Sequence, residues 1–162
     1  GKNTIWNRLV HLYLQKNKIG TAGGAVIGAN ESWIELEELQ LHENTIGDEG
    51  AIAIGKNTTW SKLKELVLYI NEVSDEGAAA IGSNTTWTSL EQLWLYENKI
   101  GDKEAKAIGE NTAWRNLEQL VLCENEIGDQ GATIIGQNTA WKNLKRIGME
   151  SNKDITEVGK KR

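Results

Sequence analysis

Trp87-Thr88-Ser89-Leu90-Glu91-Gln92-Leu93-Trp94-Leu95-Tyr96-Glu97-Asn98-Lys99-Ile100 carries the pattern L-x-x-L-x-L-x-x-N-x-I, and the same frame returns along the whole chain. The tryptophans set its register: Trp6, Trp33, Trp60, Trp87, Trp114 and Trp141 are each 27 residues apart. Behind them come Leu36, Leu39, Leu41, Asn44 and Ile46 in the second copy, and Leu63, Leu66, Leu68, Asn71 and Val73 in the third. The fifth has Leu117, Leu120, Leu122, Asn125 and Ile127. A fixed period in the twenties means that each unit buries its apolar side by stacking on its neighbours. The 162 residues equal six periods, which predicts one domain over 1–162. Its strand motifs fall at 9–17, 36–44, 63–71, 90–98, 117–125 and 144–152.

Within a unit, Leu39 and Leu41 are two apart and point to one side of a strand, so adjacent units pair in parallel and bury that side. Asn17, Asn44, Asn71, Asn98, Asn125 and Asn152 then form a ladder of amides able to satisfy turn backbone that would otherwise be buried unpaired. Asp48, Asp75, Asp102 and Asp129, with Thr21 in the first unit, stand where a helix N-cap belongs. A helix of about two and a half turns follows, with Ala51, Ala53 and Ile54 facing inward and position 52 outward. Gly55 and Asn57 read as left-handed terminators. Gly23, Gly50, Gly77 and Gly131 share a column in which the fourth helix has Glu104, an exception the sequence does not explain.

The frame, with the segment Ile46-Gly47-Asp48-Glu49-Gly50-Ala51-Ile52-Ala53-Ile54-Gly55-Lys56-Asn57, resembles the leucine-rich repeat family, and within it the ribonuclease-inhibitor class also found in NOD-like receptors. That class runs at about 28 residues per unit. Here the unit is one shorter and has Trp where Leu is usual, a departure that places it in a variant subclass. The resemblance implies an α/β solenoid, a right-handed superhelix with a curved parallel sheet of six strands on the concave side and five short helices on the convex side. Trp-bearing, Gly-Asn-Thr-rich arrays of this kind also resemble proteins of bacteria that live inside host cells, which implies an effector delivered into host cytoplasm.

Eighteen Lys and Arg against 23 Asp and Glu give a net charge of −5, with the cations scattered, which argues against nucleic acid. The basic run Lys160-Lys161-Arg162 reads as a solvated end. No apolar run approaches the roughly 20 residues of a membrane helix. The one cysteine, Cys123, forms no internal disulfide, and disulfide-bonded caps are missing, so a reducing cytoplasmic setting is expected. The triplets Asn30-Glu31-Ser32, Asn57-Thr58-Thr59 and Asn84-Thr85-Thr86 match glycosylation acceptors. They fall in a column shared by Asn3, Asn111 and Asn138, so that Asn reads as structural.

The six periodic tryptophans are better read as core than as a stacking platform. Gly50 to Lys56 matches most of a phosphate loop, but Asn57 stands where Ser or Thr would hold magnesium. Cys123, His11 and His42 lack catalytic partners. The expectation is therefore no enzyme, no cofactor and no metal.

The columns that change from copy to copy are strand positions facing away from the leucines. One reads Tyr13, Gln40, Val67, Trp94, Val121, Gly148; the next reads Gln15, His42, Tyr69, Tyr96, Cys123, Glu150; the third reads His11, Glu38, Glu65, Gln92, Gln119, Arg146. Strands about 4.8 Å apart make these columns neighbours. Val67, Tyr69, Ile70, Trp94, Tyr96 and Val121 are then expected to merge into an exposed patch rimmed by Glu38, Glu65, Glu97, Glu124 and Glu126. Aromatic residues supply most interface hot spots, and contiguous apolar patches mark binding sites. With Tyr13, His42 and Cys123 they form the candidate partner-binding face, fitted to a protein with an apolar knob in basic surroundings.

Gly1-Lys2-Asn3-Thr4 aligns with Gly55-Lys56-Asn57-Thr58, so the chain opens at a helix end, without a cap, and reads as part of a longer array. The last unit, with Ile147 and Met149 for leucines, one extra residue in Asn152-Lys153-Asp154-Ile155 and no sixth helix, reads as a degenerate terminal unit. The functional expectation is a non-catalytic protein-interaction module. Alternatives are a structural array self-associating through uncapped ends, or a regulatory domain of an effector or GTPase-activating-type protein. The last needs an exposed Arg or Asn at a repeat edge, and Arg146 is the only arginine on the variable face.

Overall fold

The computed structural model describes residues 5–152 and 155–156. Gly1 to Thr4, the Lys153-Asp154 step and the basic tail lie outside the described residues. Six strands, β1 (His11–Tyr13), β2 (Glu38–Gln40), β3 (Glu65–Val67), β4 (Gln92–Trp94), β5 (Gln119–Val121) and β6 (Arg146–Gly148), pair in parallel in the order β1-β2-β3-β4-β5-β6. The register advances by one repeat at each step, with Leu39 opposite Leu66 and Leu66 opposite Leu93. Between them run α1 (Thr21–Gly28), α2 (Gly47–Gly55), α3 (Asp75–Gly82), α4 (Asp102–Gly109) and α5 (Asp129–Gly136). This is the expected alternation of strand and helix in an α/β solenoid, with an open sheet whose second face carries no helix.

One core runs the length of the stack. Leu39, Leu66, Leu93 and Leu120 are fully buried, as are Trp60, Trp87 and Trp114. The tryptophan column is core as expected except at its start, where Trp6 is 55% exposed because no unit stacks on its outer side among the described residues. Within the helices, Ala51 and Ile54 are buried while Ala53 is only half-buried.

The asparagine ladder works as a bridge between units. Asn71 Nδ2 donates to its own unit's Leu68 carbonyl at 3.2 Å and to Leu41 of the unit before at 2.9 Å, while its Oδ1 accepts from Ile46 N–H at 3.3 Å. Asn44, Asn98, Asn125 and Asn152 repeat this pattern and are buried. Asn17, the first rung, is exposed and bonds only within its own turn.

A second ladder lies past the helices. Asn57 Nδ2 donates to Gly28 and Asn30 carbonyls of the preceding unit at 2.8 and 2.9 Å, and Oδ1 accepts from Thr59 N–H. Asn84 and Asn111 do the same. At Asn57 and Asn84 the amide that a sugar would need is both buried and bonded, so the triplets are by-products of the repeat.

Two expectations about the helices are corrected. The aspartates do not cap their own helices, which show no side-chain cap bond. Two of them cap the next one: Asp48 Oδ1 accepts from Ser74 and Gly77 N–H at 2.8 and 3.1 Å, and Asp102 Oδ1 from Gly128 and Gly131 at 2.7 and 2.8 Å. Helices stacked side by side place each carboxylate level with the neighbour's unpaired first-turn amides. Nor do Gly55 and Asn57 supply left-handed terminators, since neither has a positive φ and the α2 C-cap is Lys56 with right-handed helical angles. A Cβ on Gly55 would lie 2.4 Å from the Ala80 carbonyl carbon of the next helix, so the glycine is there for close packing.

Glu104 departs from this packing. It is buried, with Oε2 unpartnered, beside Asp75, the aspartate that faces it from the preceding unit. Burial first, then the hydrogen bond and charge of Asp75, push its carboxyl above the usual glutamate range.

Candidate functional site

The open face of the sheet is built from the alternate strand positions that the leucines leave outward, and from the turn residues that follow. Its centre is a column of rings. His42 stacks on Tyr69 with centroids 4.2 Å apart and planes at 19°, and Tyr69 stacks on Tyr96 at 4.1 Å and 15°. Strand spacing of roughly 4.8 Å imposes this arrangement: identical positions on adjacent parallel strands are held near ring-stacking distance. Trp94 meets Tyr96 edge-on at 6.5 Å and 60°, with Nε1–H donating to Gln92 Oε1 at 3.2 Å.

The rings use their faces on one another, so edges and hydroxyls point outward. Burial first, then the neighbouring Tyr69 hydroxyl, raises the Tyr96 phenol well above its ordinary value. His42 is buried, and burial holds its imidazole below its ordinary value, so it is neutral at physiological pH.

Not every expected site residue joins this patch. Val67 and Val121, expected to be exposed, are buried at 6% and 3% exposure. Both stand in register with Trp94, one on each side, and an indole is wider than one strand spacing, so it shields them. His42 is likewise buried, beneath the stack it begins. Tyr13 lies apart at the β1 edge, stacked on His11 at 6.0 Å and donating its hydroxyl to Glu38. Ile70 is 37% exposed in the turn beside Tyr69. Cys123 donates its thiol to Glu150 Oε2 at 2.7 Å, and burial and that bond raise its pKa, the opposite of an activated nucleophile.

The acidic rim divides in two. Glu38 is engaged by Tyr13 and lies 3.6 Å from His11 Nε2, and Glu65 accepts the Gln40 amide at 2.7 Å. Glu97 and Glu124 are exposed and pair with no cation among the described residues. Glu43, which the sequence reading passed over, holds Lys16 at 3.2 Å in the same turn column. Gln92, which fixes Trp94, and Glu150, which holds Cys123, were also missed. Both stand in columns that vary between copies, and that variation was the available signal.

Concavities elsewhere lie in the grooves between helix ends, such as one of about 320 Å³ lined by Gly28, Ala53, Lys56 and Asn57. They recur between units and follow from the helix-end glycines. No group of three or more metal-type ligands occurs among the described residues, and no helix there is long and apolar enough to cross a membrane.

Comparison with known proteins agrees with the geometry. The model of the leucine-rich repeat family matches residues 8–28, 36–55 and 61–82. No curated protein matches the sequence. Among solved structures, an internalin (inlF) from Listeria monocytogenes is similar over 93% of this chain and 37% of its own, at 23% identity and a TM-score of 0.64. The ectodomain of the receptor kinase SOBIR1 from Arabidopsis thaliana is similar over 81% of this chain and 64% of its own, at 22% identity and a TM-score of 0.47. The chain thus spans about a third of the internalin and under two thirds of the ectodomain. The family match covers three of the six units, and the stacked parallel sheet, like that of the internalin, gives the chain the fold of a leucine-rich repeat solenoid.

Proposed function

We propose that residues 1–162 are a single non-catalytic interaction domain that binds a partner protein on the open face, around Tyr69, Trp94 and Tyr96. The observation that carries this reading is the aromatic column itself. A stacked set of rings with an indole on its edge is apolar, rigid and costs little conformational entropy to use, which is what interface hot spots require. No helix, strand or loop of the described residues covers it. Val67 and Val121 act beneath it as support, and Glu97 and Glu124 lend it a negative margin.

The finer subclass remains part of this proposal: the I-G-D-x-G-A segment favours the ribonuclease-inhibitor and NOD-like type, whose members hold a protein against several strands at once. The single cysteine, Cys123, a free thiol, favours a reducing, cytoplasmic site of action, within a host cell if the chain is a bacterial effector. Self-association is the second reading, favoured by the exposed Ile5 and Trp6 at the first unit, 84% and 55%; a mass that rises with concentration would single it out.

The test is capture from host-cell lysate by the native chain and by a Tyr69→Ala, Trp94→Ala, Tyr96→Ala variant, with circular dichroism on both. A partner kept by the native chain and lost by the folded variant is the expected result. Equal capture by both places the site elsewhere.

A further inference from the structure

The residue that follows the aromatic column adopts a left-handed backbone in every unit: Lys16 (φ 57°), Glu43 (55°), Ile70 (51°), Glu97 (50°), Glu124 (54°) and Ser151 (60°). Five of these are unbranched at Cβ and polar. Ile70 is neither, and a β-branched side chain at positive φ crowds the adjoining carbonyl, which makes it a genuine outlier. Its turn is doubly unusual, because Glu72 is also left-handed at 58°, so that two such residues flank the buried Asn71. Burial repays Ile70 only in part, since 37% of its surface stays exposed. Strain held at an exposed apolar side chain points to use by a ligand.

We propose that Ile70 is the specificity anchor of the open face, receiving an apolar side chain of a partner segment whose flanks are basic. This rests on the interaction reading above and adds to it the residue and the partner's chemistry. Ile70 stands between Glu43 and Glu97 in the turn column, with Glu124 one strand further, and Tyr69 beside it. Glu97 and Glu124 bind no cation among the described residues, Lys99 included. A basic flank relieves the repulsion of two neighbouring carboxylates. The stacked rings cannot read that charge, because the faces of Tyr69 are taken by His42 and Tyr96. Recognition divides accordingly: Ile70 and the ring edges take the apolar group, and Glu97 and Glu124 take Lys or Arg.

The test uses Ile70→Asn, since Asn tolerates the left-handed region, and a random linear peptide library displayed on phage as the probe. The native chain is expected to enrich sequences that set a bulky apolar residue beside Lys or Arg. A selected peptide should bind Ile70→Asn about tenfold or more weakly, while that variant melts about 2–4 °C higher than the native chain. No enrichment, enrichment without basic residues, or a variant that melts no higher would overturn the proposal. A peptide that binds Ile70→Asn as tightly as native but loses Trp94→Ala, Tyr96→Ala would overturn the role of Ile70 and leave the open face standing. Unchanged binding to both variants would overturn both.

Discussion

Two columns of the same repeat, two residues apart, behave oppositely. One reads Asn in all six units; the other reads Gln15, His42, Tyr69, Tyr96, Cys123 and Glu150. The asparagines are uniform because every junction poses one problem: two carbonyls and an amide N–H are buried at each turn, and a primary amide matches all three. The open-face column meets water on one side, and nothing within the chain asks the same of it twice. Uniformity therefore marks what the solenoid needs, and variation marks what is left for something outside it. The Asp75–Glu104 contact shows the distinction from the helical side, where one copy breaks a framework rule and leaves a buried oxygen unpaired.

The sharpest way to break this comparison is to remove framework residues in the middle and at the start. Trp87→Ala should cost about 3–5 kcal/mol in urea unfolding, against less than about 1 kcal/mol for the exposed Trp6→Ala. Asn71→Ala should cost about 2–4 kcal/mol, because it strands the Leu41 and Leu68 carbonyls and the Ile46 amide, whereas Asn17→Ala should stay within about 0.5 kcal/mol. Equal effects at centre and end would contradict the bridging role.

At Glu104 the sign reverses. Its carboxyl titrates higher in the folded chain than in the unfolded, so the native state holds the proton longer and stability falls as pH rises above the ordinary glutamate value of 4.5. Glu104→Gln should flatten that fall and raise stability at neutral pH by about 1–2 kcal/mol. The gain should vanish below the ordinary value, where both states carry the proton; thermal unfolding across pH checks it. The combined Tyr69→Ala, Trp94→Ala, Tyr96→Ala change should cost only about 1–2 kcal/mol in all, well below Trp87→Ala alone, because it dismantles a stack without opening the leucine core.

How much of this was legible in the sequence follows the same line. Leu39, Asn44 and Trp60 announced strand, ladder and core because their neighbours in the stack are copies of themselves, so one unit's period describes the contact. The aspartates, Gly55 and Glu104 were misread or unexplained because their partners lie on a neighbouring helix, at a distance the repeat does not encode. On the open face the rings were legible as a column, since strand spacing alone stacks Tyr69 on Tyr96. The burial of Val67 and Val121 was not, because it depends on how far the Trp94 indole spreads. The strain at Ile70 was half visible: its odd chemistry among Lys16, Glu43, Glu97 and Glu124 stands in the sequence, but its backbone angle does not.

Hydroxyl-radical footprinting of the chain alone and with a captured partner tests the central claim most directly, because Trp and Tyr report their own exposure. Protection concentrated on Tyr69, Trp94 and Tyr96, with Trp6 and the helical side as reactive as in the free chain, is the predicted outcome. Protection on the helices or at Trp6, with the three ring residues unchanged, would contradict it and move the interaction to the framework or to the end of the stack.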